Sequence, residues 1–212
     1  MHVCHSHEVR RVKACVPLLL SSGRIDMMDP VIRKTRQAWN EPGHAHYLTH
    51  SCYRRLPLLA RDPARRWVLD ALRRTRDRLD VALWAYVIMP EHVHVLLHPR
   101  AANYEMRQIL VALKQPVAKA ARRWLTEHGA RRWLDQLTVT YPSRRVFRFW
   151  QPGGGFDRNI FRDKTIPAIV DYIHANPVRR GLVTKPTDWL WSSARFWEGF
   201  SDVPLPMDDP LE

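Results

Sequence analysis

The chain has 212 residues, 45% of them hydrophobic, which is long and apolar enough for one domain with a real core and short extensions. Its 34 Lys and Arg against 21 Asp and Glu give a formal net charge of +13, and 28 of the 34 cations are arginine. A pI near 10.4 makes a polyanion the natural partner. With no long apolar run and no basic amphipathic anchor, that partner reads as nucleic acid rather than membrane.

Three cysteines, Cys4, Cys15 and Cys52, form no CxxC pair and leave one over, as expected of a reducing cytoplasm. Arg10, Arg11 and Lys13 before ACVPLLLSSG imitate a signal peptide, but the apolar run is short, contains Pro17 and lacks an Ala-x-Ala site. His2, Cys4, His5 and His7 read as incidental crowding. Met27 and Met28 would serve equally well as starts, so residues 1–35 are expected to be a poorly ordered extension. Residues 36–199 read as the functional domain and 200–212 as an acidic, Pro-rich tail.

Within the domain, Ala45 to Cys52 has the composition of a first strand. Asp62 and Pro63 open a helix whose apolar positions Ala64, Trp67, Val68, Ala71, Leu72 and Leu79 recur at helical spacing. Its arginines are most simply a solvated face. Val81 to Met89 reads as a second strand, Pro90 and Glu91 as a break, and His92 to His98 as a third strand. A second helix, capped by Asn103, runs to about Gly129 with Pro116 inside it, and a kink is expected near Leu113. Residues 130–144 read as a connection and Arg145 to Trp150 as a fourth strand leading into the glycine turn at 153–155. A helix over Asp163 to Asn176 and a Trp-rich tail, with Trp189 and Trp191 as core anchors, complete the chain. The order strand, helix, strand, strand, helix, strand predicts an α+β fold of the ferredoxin-like, RRM-like kind: an antiparallel sheet with both helices on one face, plus the late helix.

Chemistry concentrates in WAYVIMPEHVHVLLHP, Trp84 to Pro99. On a strand, Val93, Val95 and Leu97 point to one face, and His92, His94 and Leu96 to the other. Two imidazoles on one side of a rigid strand are mounted to share a divalent metal. The late helix supplies the complement. Ile166, Ile169, Val170 and Ile173 form its buried stripe; Tyr172 lies at the edge of that stripe, and Asn176, four residues on, shares its face. Pro177 is expected to end the helix and leave the Asn176 amide oxygen available. Two imidazole nitrogens, an amide oxygen and open positions suit Mg²⁺ or Mn²⁺. A phenol beside such an ion is a nucleophile for a phosphodiester.

MPEHVHVLLHP, YIHANPVRRGLV and DWLWSSARFW, in that order, resemble the IS200-like single-tyrosine (Y1) transposases of the HUH endonuclease superfamily, above all their REP-associated tyrosine transposase branch. The resemblance covers about residues 40–197. It implies a metal held by His92, His94 and Asn176, with Tyr172 attacking single-stranded DNA to leave a 5′-phosphotyrosine and a free 3′-hydroxyl. It further implies hairpin DNA as partner, monomers or homodimers as the acting species, and a cytoplasmic, nucleoid-associated location. Arg179 and Arg180 are expected to clamp phosphates, and Phe149, Trp150 and Phe156 to stack on unpaired bases. The alternative is a non-catalytic hairpin-binding regulator derived from such an enzyme; a hydrolase using water is a third reading.

Overall fold

The structure, a computed structural model, describes residues 40–161 and 163–210. The extension expected over 1–35, with Cys4, Cys15 and the histidines at 2, 5 and 7, lies outside the described residues. Strand β1 (Ala45–Ser51) leads through a turn into helix α1 (Asp62–Leu79), then strands β2 (Val81–Ile88) and β3 (His92–Pro99), and helix α2 (Met106–Glu127). A short helix α3 (Arg131–Gln136) and a hairpin of β4 (Thr138–Tyr141) and β5 (Arg144–Phe147) precede strand β6 (Phe156–Ile160). Helix α4 (Ile166–Arg179) and the short α5 (Ala194–Trp197) follow.

The sheet order is β2-β3-β1-β6, all neighbours antiparallel, which is the predicted ferredoxin-like topology with β6 as its fourth strand. Two layers cover it. On one face Val93, Val95 and Leu97 pack with Val68, Leu72, Ile109, Leu113 and Val117 of α1 and α2. On the other, Leu96, Ala85 and Val87 pack against Ile166, Val170 and Ile173 of α4. The strict alternation along β3 therefore works twice: one parity is sealed under the helix pair, the other faces α4 and carries His92 and His94. Each of the larger apolar side chains so buried contributes about 1.5–3 kcal/mol.

Four expectations need correction. The fourth sheet strand is Phe156–Ile160, after the glycine turn. Arg145 to Trp150 instead supplies one arm of a hairpin with the segment expected to be a mere connection, and then a single bridge between Trp150 and Cys52. Helix α2 begins at Met106 with Glu105 as its cap position, beyond Asn103. Helix α4 does not stop at Pro177 but continues to Arg179. The proline has no N–H for the Ile173 carbonyl, and Asn176 Nδ2 makes up the loss, bonding Tyr172 O at 2.7 Å and approaching Ile173 O at 3.4 Å.

The segment expected to trail as an acidic tail is docked. Leu205 and Met207 lie in the core beneath α1, and Asp208 exchanges bonds with the Leu83 backbone: N to Leu83 O and Oδ2 from Leu83 N, both 2.8 Å. Farther along β2, Ile88 N bonds Trp191 O and Ser193 N bonds Tyr86 O. The outer edge of β2 is thereby covered by the chain's own C-terminal part, which removes an open edge for aggregation. Trp189 and Trp191 pack on opposite clusters, as anchors should. No described helix is long and apolar enough to cross a membrane.

Candidate active site

Antiparallel pairing places Thr49 opposite His94 and Ser51 opposite His92, with Phe156 opposite Thr49 and Arg158 opposite Tyr47. Tyr47, Thr49, Phe156, Arg158, His92 and His94 therefore share the sheet face that α4 covers only in part.

The two imidazoles converge. His92 Nε2 and His94 Nε2 are 3.0 Å apart, with the rings perpendicular. Each ring is held from its far nitrogen. His92 Nδ1 lies 3.1 Å from Glu91 Oε1; His94 Nδ1 lies 2.8 Å from both the Tyr47 hydroxyl and Thr49 Oγ1. A proton on each Nδ1 satisfies the carboxylate and the hydroxyls, and it turns both Nε2 lone pairs to one point. Burial, then the charge of His92, pushes His94 down to about 3, outweighing the bond from the Asn176 side chain. Burial also lowers His92 against the pull of Glu91. Both rings are thus neutral at physiological pH, the state a metal ligand requires.

Helix α4 brings the remaining groups. With Asn176 Nδ2 engaged on the backbone, its amide oxygen is the atom left to act as a further ligand beside His94. The Tyr172 ring stands edge-on to His94, centroids 6.0 Å apart, and edge-on to Tyr47 at 6.3 Å. It is 43% exposed, with the Arg179 guanidinium over its face at 5.2 Å. Two neutral imidazoles and an amide oxygen are donor types that Mg²⁺ or Mn²⁺ accepts. Among the described residues no group of three or more His, Cys, Asp or Glu gathers to hold a metal, and this site brings two such side chains, His92 and His94, with the Asn176 amide beside them.

Of the expected DNA-contacting residues, Phe156 is exposed and packs edge-on against Tyr47 at the rim of the site. Trp150 and Phe149 are a correction: both are buried, and Trp150 Nε1 donates to Lys114 O at 2.9 Å. Neither ring offers a free face for a base. Arg180 is half exposed and donates from Nη1 to Glu91 Oε1 at 2.9 Å, so its charge is already partnered. Sequence reasoning missed Glu91, Tyr47, Thr49 and Arg158. The signal for Tyr47, Thr49 and Arg158 is cross-strand register, which no single stretch contains.

No family model and no curated protein matches the chain. Among solved structures, it is similar to a REP-associated tyrosine transposase bound to a REP hairpin: TM-score 0.61, 18% identity, covering 84% of this chain and 92% of that one. A candidate transposase from Deinococcus radiodurans R1 is similar at TM-score 0.41 and 17% identity, covering 66% of this chain and 96% of that one. The four-stranded antiparallel sheet with its two helical layers is therefore the fold of a REP-associated tyrosine transposase.

Proposed function

We propose that the chain is a metal-dependent, single-stranded DNA endonuclease and strand transferase acting on hairpin DNA. The observation that carries the reading is the exposed Tyr172 phenol beside two histidines whose Nε2 atoms lie 3.0 Å apart. His92, His94 and Asn176 would hold the divalent ion, which would supply Lewis-acid polarisation of the phosphate. The chain's own residues do the rest. Tyr172 Oη attacks the phosphorus, its proton leaves to solvent, the P–O3′ bond breaks, and the departing 3′ oxygen takes up a proton. The products are a 5′-phosphotyrosine and a free 3′-hydroxyl, and reversal by a new 3′-hydroxyl rejoins strands without ATP. Arg179, whose guanidinium lies over the Tyr172 ring, is the cation proposed to meet the phosphate, and the exposed Phe156 is proposed to stack on an unpaired base. The hairpin bound by the transposase of similar fold, together with a charge of +13, supports hairpin DNA as substrate.

The test is one gel. A 5′-labelled and a 3′-labelled hairpin oligonucleotide with a single-stranded flank are incubated with the protein and Mn²⁺, then denatured. The 3′-labelled fragment should travel with the protein, and EDTA should abolish it. Tight, salt-sensitive binding without any adduct would leave a hairpin-binding regulator, and cleavage without protein-linked label would leave a hydrolase using water.

A further inference from the structure

We propose that Glu91 is a positioning residue that ties the orientation of the His92 ligand to the placement of the tyrosine helix. The proposal rests on the reading of His92 and Tyr172 given above, and deepens it. Glu91 sits in the break between β2 and β3, only 7% exposed, so its carboxylate must be satisfied by protein partners. One oxygen, Oε1, takes two of them. It faces His92 Nδ1 at 3.1 Å and accepts from Arg180 Nη1 at 2.9 Å. A second guanidinium, Arg55 Nη2, lies 4.0 Å from the same atom.

The two bonds do different things. The bond to His92 puts the proton on Nδ1 and so directs the Nε2 lone pair toward His94. The bond to Arg180 acts at a distance: Arg180 is the C-cap residue of α4, and Tyr172 stands two turns earlier on that helix. Pinning the last turn of α4 to the strand break sets how close Tyr172 stands to the imidazole pair. No acidic residue occupies the first turn of the helix. Loss of Glu91 therefore frees the ligand ring and the nucleophile together, whereas loss of Arg180 frees only the helix. Outer-shell partners of this kind alter metal affinity by roughly 10–100-fold.

The test compares Glu91→Ala, Glu91→Gln, Arg180→Gln and the Glu91→Ala/Arg180→Gln pair by three readouts on the full chain. These are Mn²⁺ affinity by EPR titration, the His92 tautomer by long-range ¹⁵N NMR, and the ¹⁹F signal of 3-fluorotyrosine at 172. Glu91→Ala should weaken Mn²⁺ at least about 10-fold, lose the Nδ1–H form of His92 and shift the fluorine signal. Arg180→Gln should shift the fluorine signal to the same place and keep the His92 tautomer, with a smaller loss of Mn²⁺ affinity than Glu91→Ala because Asn176 rides on the same helix, and the double variant should move the fluorine signal no further. Glu91→Gln keeps the volume and an acceptor for His92, so it should retain the tautomer and still shift the fluorine signal. It decides the matter if Glu91→Ala does not fold. An unchanged tautomer and Mn²⁺ affinity in Glu91→Ala, or an unmoved fluorine signal in Arg180→Gln and Glu91→Gln, overturns the proposal. The tautomer and the fluorine signal are read without DNA, so they decide the role of Glu91 even where the wild-type chain forms no adduct.

Discussion

Tyr172 and His94 meet within one chain: their rings stand 6.0 Å apart and nearly perpendicular, one carried by the late helix and the other by the middle of the sheet. The pairing arises because β3 alternates with period two and α4 buries a stripe that leaves Tyr172 at its margin. Tyr172→Phe keeps that packing and removes only the oxygen. It should abolish covalent attachment to DNA while changing hairpin affinity by less than about 3-fold, measured by gel shift at fixed salt.

His92→Ala and His94→Ala should each eliminate cleavage and the response to metal together. In wild type, Mn²⁺ is expected to raise the melting temperature because it binds only the folded chain. In either variant that rise should disappear, a larger loss than the roughly 10–100-fold of an outer-shell change. Persistence of the rise in both would remove the histidine pair as the metal site.

Gly155 is fixed by its neighbours. A Cβ there would collide with the Thr49 carbonyl oxygen, and its φ of +80° is one that L side chains rarely adopt. Gly155→Ala must push β6 from β1 and should cost on the order of 2–4 kcal/mol in urea unfolding, within the range of strained backbone substitutions. Because Phe156 and Thr49 face the site, DNA affinity should fall as well.

The docked C-terminal segment predicts a cost far from the site. Leu205 is fully buried, and Arg73 and Arg76 bond the carbonyls of Pro204 and Pro206. Leu205→Ala should destabilise by about 2–5 kcal/mol in denaturant unfolding, whereas a freely trailing tail would show no effect.

Acid should weaken the fold through His50. Burial lowers it to about 3, ahead of the charges of Lys114, His94 and His92. Between the unfolded value near 6.5 and that depressed value, the unfolded chain binds a proton that the folded chain refuses. Stability is thus complete above about pH 6.5 and falls as pH drops. From pH 7 to pH 5 this one ring accounts for about 2 kcal/mol. His50→Phe, which keeps a ring against Trp150, should flatten the pH dependence of urea unfolding by about that amount; an unaltered slope would contradict it.

What the sequence made legible is periodic. The parity of Val93, Val95 and Leu97 against His92 and His94, and the shared face of Tyr172 and Asn176, follow from spacing alone and recur in the structure. The fourth strand was not legible, because Arg145 to Trp150 carries four strand-favouring residues, Val146, Phe147, Phe149 and Trp150, against Phe156 and Ile160 in the true strand. In the latter, Asp157 faces the helical layer and is satisfied there by His46, 2.9 Å away. Trp150 looked like a stacking platform, yet its burial depends on the Lys114 carbonyl, 36 residues earlier. Glu91 resembled punctuation after a proline; its meaning comes from Arg180, 89 residues later. Such contacts are set by tertiary packing, on which local pattern is silent.

The most direct measurement is mass spectrometry of the protein after reaction with a hairpin oligonucleotide and Mn²⁺, followed by nuclease and protease digestion. A nucleotide phosphate remnant is expected on the peptide containing Tyr172, attached at that phenol and absent from Tyr172→Phe. A remnant on any other residue, or cleaved DNA with every peptide unmodified, would contradict that expectation.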